Sequence, residues 1–122
     1  MDFHHTIIRK TSWGWQSTFK VRGAFPDMTV VGRVVRWRFR KKGESAIAFE
    51  RRTDNAAHGS WVDQVNAVWN WEFKSDEVIA GEPLQEYEAD VVYEDTSVAP
   101  DDEVPLASGR VTFAPHKLGE VS

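Results

Sequence analysis

The chain has no cysteine among its 122 residues. Disulfides and thiolate metal sites are therefore excluded, and a secreted disulfide scaffold is not expected. No apolar run approaches the roughly 20 residues that a membrane-spanning helix needs, so no membrane partner is expected. The opening MDFHHTIIRK lacks the apolar centre and cleavage site of a signal peptide, so the expected place of synthesis is a reducing cytoplasm. Glycine-rich phosphate loops are missing as well: Gly14, Gly23, Gly32 and Gly43 stand singly, as turn positions do.

Aromatic residues are plentiful instead. Six Trp and seven Phe in a chain of this length favour strands, where a large ring packs on a pleated face. The most regular stretch is Val34–Lys42, VVRWRFRKK. Val35, Trp37 and Phe39 fall on one side of it, and Arg36, Arg38 and Arg40 on the other. That period of two predicts a central antiparallel strand, with Trp37 pinning the core and three guanidiniums on the opposite face.

Similar alternation marks Gln16–Arg22, Ala46–Thr53, Val68–Lys74, Tyr87–Tyr93 and Ser108–Ala114, with a shorter candidate at Trp61–Gln64. Ile47 is expected on the inner face with Phe49, and Trp69, Trp71 and Phe73 share one face. Ser75 and Gly81 bracket at most one short helical turn. Glu94–Pro105, rich in Asp, Glu and Pro, reads as a long exposed hairpin loop. The expected fold is all-β: a two-sheet immunoglobulin-like β-sandwich of about seven strands over residues 11–115. Residues 1–10 form an N-terminal arm or edge strand, and residues 116–122 a flexible tail. Trp37, Trp69, Trp71 and Tyr87 are the core markers. Tyr87 stands two residues before the inward Ala89, the spacing of a tyrosine corner.

Net charge is -4, but it is divided unequally. Residues 1–60 hold 12 Lys or Arg against 5 Asp or Glu, and residues 61–122 hold 3 against 14. Arg33, Arg36, Arg38, Arg40, Lys41, Lys42, Arg51 and Arg52 form the one basic stripe that a nucleic acid could use. In an immunoglobulin sandwich, however, the third and sixth strands are neighbours, so Arg36, Arg38 and Arg40 are expected to meet Glu86, Glu88 and Asp90. On that reading nucleic acid is not a partner. His4 and His5 are adjacent and point to opposite faces of a strand, while His58 and His116 stand alone in loops. No spacing matches a zinc site, no nucleophile elbow occurs, and no acid and base pair stands out. The chain is expected to be no enzyme and to carry neither cofactor nor metal.

The succession VRWRFRKKG, IAFE, VWNWEF, YEADVVYED and ASGRVTFAP resembles the immunoglobulin-like domain of phage and prophage virion proteins, in particular the N-terminal domain of phage baseplate upper proteins. The resemblance covers roughly residues 10–115 and is strongest at Val35–Gly43, Tyr87–Asp95 and Gly109–Pro115. It implies a structural subunit of a tailed-phage virion, in the tail, baseplate or neck region, made in the bacterial cytoplasm. Its partners would be other virion structural proteins and copies of itself. The chain departs from the pattern in its Trp13, Trp15 start, and no receptor-binding or oligomerisation domain is expected after the sandwich. The candidate interface residues are Ile7, Ile8, Trp13, Trp15, Lys41, Lys42, Arg51, Arg52, Trp61, Asp101, Asp102 and Glu103. The alternatives are a capsid decoration protein and a module that binds host glycan through exposed Trp residues.

Overall fold

In the computed structural model, residues 2–8, 12–73, 86–98 and 102–114 are described. Alternating side chains become eight strands: β1 (Asp2–Ile8), β2 (Trp13–Thr18), β3 (Arg33–Lys41), β4 (Phe49–Arg52), β5 (Gly59–Asp63), β6 (Val68–Phe73), β7 (Glu86–Asp95) and β8 (Asp102–Ala114). They form a five-stranded sheet in the order β1-β8-β7-β3-β4 and a three-stranded sheet in the order β2-β6-β5. All pairs are antiparallel except β1 with β8, which run parallel from Asp2 opposite Ser108 to Ile8 opposite Ala114. β3, β7 and β8 adjoining in one sheet, with β2, β6 and β5 in the other, is the connectivity of an immunoglobulin-like sandwich, β7 taking the place of its sixth strand because β4 is an additional edge strand. No helix occurs among the described residues.

Trp37 is fully buried in the middle of β3. Its ring lies 5.2 Å from Trp15, 5.5 Å from Trp71 and 4.7 Å from Phe39, between centroids. Val35, Phe39, Trp69, Trp71, Phe73, Val111 and Phe113 fill the same layer. Truncating a buried Trp costs about 3–5 kcal/mol, so this residue carries a large part of a typical domain stability of about 5–15 kcal/mol. Tyr87 is buried and meets Phe113 edge-on at 5.6 Å. The acceptor that a tyrosine corner requires, a few residues upstream, lies outside the described residues.

Several sequence expectations are corrected. The loop between the last two strands is shorter than Glu94–Pro105, because β7 runs to Asp95 and β8 starts at Asp102, directly opposite. Half-buried Val104 and Leu106 draw this acidic segment onto the core. The sheet tolerates Pro105 because the β7–β8 register shifts between Val91 and Val92, and because β1 covers β8 only from Ser108 onward. β2 ends at Thr18, short of Arg22: Val21 and Ala24 close a tight turn in which Arg22 and Gly23 both take positive φ. β4 starts only at Phe49, and Ile47 is exposed. The helical turn expected at Ser75–Gly81 and the tail 116–122 lie outside the described residues.

Candidate functional site

β1 settles where the first residues go. Phe3, His5 and Ile7 alternate inward, and His4, Thr6 and Ile8 outward. Ile7, expected as an interface residue, is fully buried opposite Phe113, so it belongs to the core. Ile8 remains 45% exposed. Gly109 makes this docking feasible: a Cβ there would collide with the backbone carbonyl of Phe3, so only glycine lets β1 lie against β8 at this register.

The inward residues of β1 meet those of β2 at one corner of the sandwich. The His5 ring lies tilted 4.5 Å from Trp15 and edge-on 5.1 Å from Trp13, and Phe3 lies 5.2 Å from Trp15. Trp13 and Trp15 are half-buried, with Trp37 beneath them. The Nε2 atom of His5 is buried with no hydrogen-bond partner among the described residues. Burial, and secondarily the neighbouring His4, hold its pKa below the ordinary 6.5, because a charged imidazolium would be poorly solvated there. Where β2 begins beside the end of β6, Ser12, Trp13, Gly14, Asn70, Glu72 and Phe73 line an open hollow of about 380 Å³. Trp61 is half-buried edge-on to Trp69 at 4.9 Å.

On the outer face of the larger sheet the arginines do meet carboxylates, with a partly different set of partners. Arg38 binds Asp90 through two hydrogen bonds of 2.9 and 2.7 Å and reaches Glu103 at 3.3 Å. Arg40 contacts Asp90 at 3.4 Å. Arg36 stands opposite Val92 and turns to Glu50 at 2.7 Å and Glu94 at 3.2 Å. Glu86 takes Lys42 at 3.3 Å and Arg110 at 3.6 Å, while Glu88, opposite Arg40, is exposed. Burial pushes the Asp90 carboxyl up, but the hydrogen bonds and charge of Arg38, with a further contribution from Arg40, outweigh it and hold the pKa below 3.8.

Two further basic candidates turn into internal ties. Arg51 is only 6% exposed; its guanidinium sits 3.8 Å above the Phe73 ring and donates to the Glu72 carbonyl at 2.8 Å. It is therefore a sheet-to-sheet bridge and no interface residue. Arg52 chelates Asp54 at 2.9 and 3.0 Å and reaches Glu50 at 3.2 Å. Lys41 is half-buried and Lys42 exposed. Asp101 lies outside the described residues, Asp102 opens β8, and Glu103 is exposed beside Arg38. The roles of Glu50, Glu94 and Glu103 were missed in the sequence. Glu50 was open to inference from its hairpin with Arg36, whereas Glu94 and Glu103 depended on knowing the extent of β7 and β8. Among the described residues, no three His, Asp or Glu side chains are grouped to hold a metal ion.

The four strand edges differ in how they are guarded. β4 is four residues long and bears Glu50, Arg51 and Arg52, and β5 has a register irregularity between Trp61 and Asp63. Both are ordinary ways to discourage further pairing. β1 from Phe3 to Ile8 and β2 from Trp13 to Thr18 carry no Asp, Glu, Lys, Arg or Pro. Among the described strands each has a neighbour on one side only, and the two meet at the aromatic corner.

No family model and no curated protein matches the sequence. Among solved structures, an extracellular domain of the voltage-gated sodium channel β4 subunit, described as a parallel homodimer with a role in cell-cell adhesion, is 12% identical with a TM-score of 0.41. The match covers 96% of this chain and 93% of that one. A likeness of that size carries no functional argument, and the fold assignment rests on the strand order itself.

Proposed function

We propose that this chain is a non-enzymatic structural subunit that works by protein–protein assembly, in the tail, baseplate or neck region of a tailed-phage virion. The observation that carries assembly is the unguarded pair of edges, β1 and β2, beside the aromatic corner of Phe3, His5, Trp13 and Trp15. An uncharged, unbulged edge is a template for a further strand, and half-exposed Trp beside it supplies the apolar contact that interfaces favour. The charged face supports the same reading, since Arg36, Arg38 and Arg40 already have carboxylate partners and are poorly placed to hold phosphates. The virion setting rests on the resemblance of residues 10–115 to phage virion immunoglobulin-like domains.

Sedimentation across a concentration series, on wild type and on Thr6→Lys with Gln16→Lys, tests the edges. Both positions are exposed, and a lysine there blocks strand addition without touching the core. Wild type should associate and the double variant should stay monomeric. The virion setting is tested by probing purified phage particles from the source strain with an antibody to the chain. A monomeric wild type that is also absent from particles would overturn the proposal.

A second reading is host-glycan binding, favoured by the hollow in which the half-buried Trp13 forms part of the rim beside Asn70 and Glu72. A glycan array with wild type and Trp13→Ala distinguishes it, since only this reading requires Trp-dependent sugar binding.

A further inference from the structure

The two sheets differ in width, five strands against three. The inward ring of Trp15 on β2 reaches to both sides of the larger sheet, lying 5.2 Å from Phe3 of β1 and 5.2 Å from Trp37 of β3. β2 therefore lies above β8 and β7, the strands between those two, and β1 projects beyond it. None of the described strands lies above β1. The core is correspondingly thin along this flank. Of the nine partly buried hydrophobic residues that pack against the core among the described residues, six belong to β1, β2 and β8: Phe3, Trp13, Trp15, Val104, Leu106 and Ala107.

Lower on the same flank the thin region becomes a hollow. β1 pairs with β8 only from Ser108 onward, so no described strand flanks β8 at Val104–Ala107 on that side. There Trp15, Ser17, Phe19, Val91, Leu106 and Ala107 line an open cavity of about 300 Å³ between the sheets. Ser17 alternates inward with Trp13 and Trp15, and its hydroxyl has no hydrogen-bond partner among the described residues. A polar group left unsatisfied in a wall of apolar side chains is uncommon in a folded protein. Lys20, the one charged residue among those described around the hollow, is turned over the Phe25 ring at 5.7 Å.

β2 also presents backbone here. It pairs with β6 from Trp13 to Thr18 and with no described strand on its other side, so a row of N–H and C=O groups points away from the sheet. The exposed outer residues Gly14, Gln16 and Thr18 carry no charge and leave the approach open.

We infer that the edge of β2 accepts an extended, uncharged segment of a different protein, which becomes a fourth strand of the smaller sheet and lies above β1. The backbone sets the form of the occupant, because an extended chain satisfies a row of N–H and C=O groups and a small molecule does not. Parity sets its side chains, since residues opposite Trp15 and Ser17 face inward with them. A threonine beside Ser17 gives that hydroxyl a partner, as cross-strand hydroxyl pairs do. A leucine or phenylalanine on the Phe19 side of it fills the hollow against Leu106 and Ala107. A second copy of this chain is the poorer occupant. Joining β2 to β2 would drive the two projecting β1 strands into one another, whereas a single strand carries no second layer and rests on β1. This inference rests on the reading of the chain as an assembly subunit and divides its two edges, with β2 taking the foreign strand and β1 left for self-association.

The test titrates the whole chain calorimetrically with short synthetic peptides that carry leucine, threonine and phenylalanine at alternate positions and glutamine between. Each is paired with the same peptide N-methylated along its backbone, which removes the N–H donors, and with one in which valine replaces threonine. Sedimentation of each protein variant is measured alongside. The unmodified peptides should bind and the N-methylated ones should not. Gln16→Lys at the edge and Leu106→Trp in the hollow should each weaken binding at least about tenfold, while thermal melting shows the fold kept. Should Leu106→Trp melt early, Gln16→Lys decides alone. Ser17→Ala should erase the preference for threonine over valine, and Thr6→Lys should bind the peptides as wild type does. The inference is overturned if no peptide binds, if binding survives N-methylation or the Gln16 variant, if the threonine preference survives Ser17→Ala, or if Thr6→Lys abolishes binding. It is also overturned if Gln16→Lys alone abolishes self-association, which would put a second copy on β2. If association persists in the wild type while the peptides fail, only the foreign strand is lost; if both fail, the assembly reading falls with it.

Discussion

Arg38 and Asp90 face each other directly across β3 and β7, and the guanidinium closes on both carboxylate oxygens, Nε to Oδ1 at 2.9 Å and Nη2 to Oδ2 at 2.7 Å. Paired forks of this kind are the strongest ordinary form of ion pair. The Arg38 side chain is 12% exposed and that of Asp90 27%, so water screens them only in part. Arg38→Ala should therefore cost about 1–2 kcal/mol in urea unfolding, more than the near-zero effect of breaking an exposed pair such as Lys42 with Glu86. Arg38→Lys should not recover the loss, because a lysine cannot reproduce the fork. Equal stability of all three proteins would show that the pair only records register.

Trp37 should be the most sensitive core position. Trp37→Ala should lower stability by about 3–5 kcal/mol. Trp37→Phe should lose less, since it keeps a ring and removes an indole N–H that has no acceptor among the described residues. Calorimetric midpoints of the two variants, compared with wild type, check the order.

Acid should weaken the fold in two separate steps. His5 has its pKa lowered in the folded chain from 6.5, so the unfolded chain binds the proton first, and stability begins to fall as pH drops through about 6.5. Asp90 and Asp54 have theirs lowered from 3.8, so their contribution is complete above that value and is lost only as pH falls through the folded pKa. Urea midpoints measured from pH 8 to pH 3 should show both steps. His5→Phe should remove the upper step and leave the lower one.

Gly109→Ala should detach β1. The added Cβ meets the Phe3 backbone and cannot be relieved by a side-chain rotation. Amide exchange should accelerate across Asp2–Ile8 while β3 and β7 stay protected. Uniform protection in the variant would mean that β8 shifts to accommodate the methyl.

Much of the fold was legible because strand alternation is a local property. Val35, Trp37 and Phe39 against Arg36, Arg38 and Arg40 required only a period of two, and burial follows that pattern along β3. The strand edges and charge partners were less legible. Parity assigns a face, but sliding β7 along β3 by two residues leaves every side chain on its own face and changes every partner. That freedom is why Arg36 turns to Glu50 and Glu94 while Glu86 joins Lys42 and Arg110.

Composition and alternation by themselves determined that this chain is an all-β sandwich pinned on Trp37, with Arg36, Arg38 and Arg40 on one outward face and no thiol chemistry. Tertiary structure decided the rest. It buried Ile7 and Arg51, placed β1 and β2 at the ends of the two described sheets, and brought Val30, Val31, Val62, Val65 and Val98 to one end. These are relations between segments tens of residues apart, set by sheet order and register, and no local pattern encodes them.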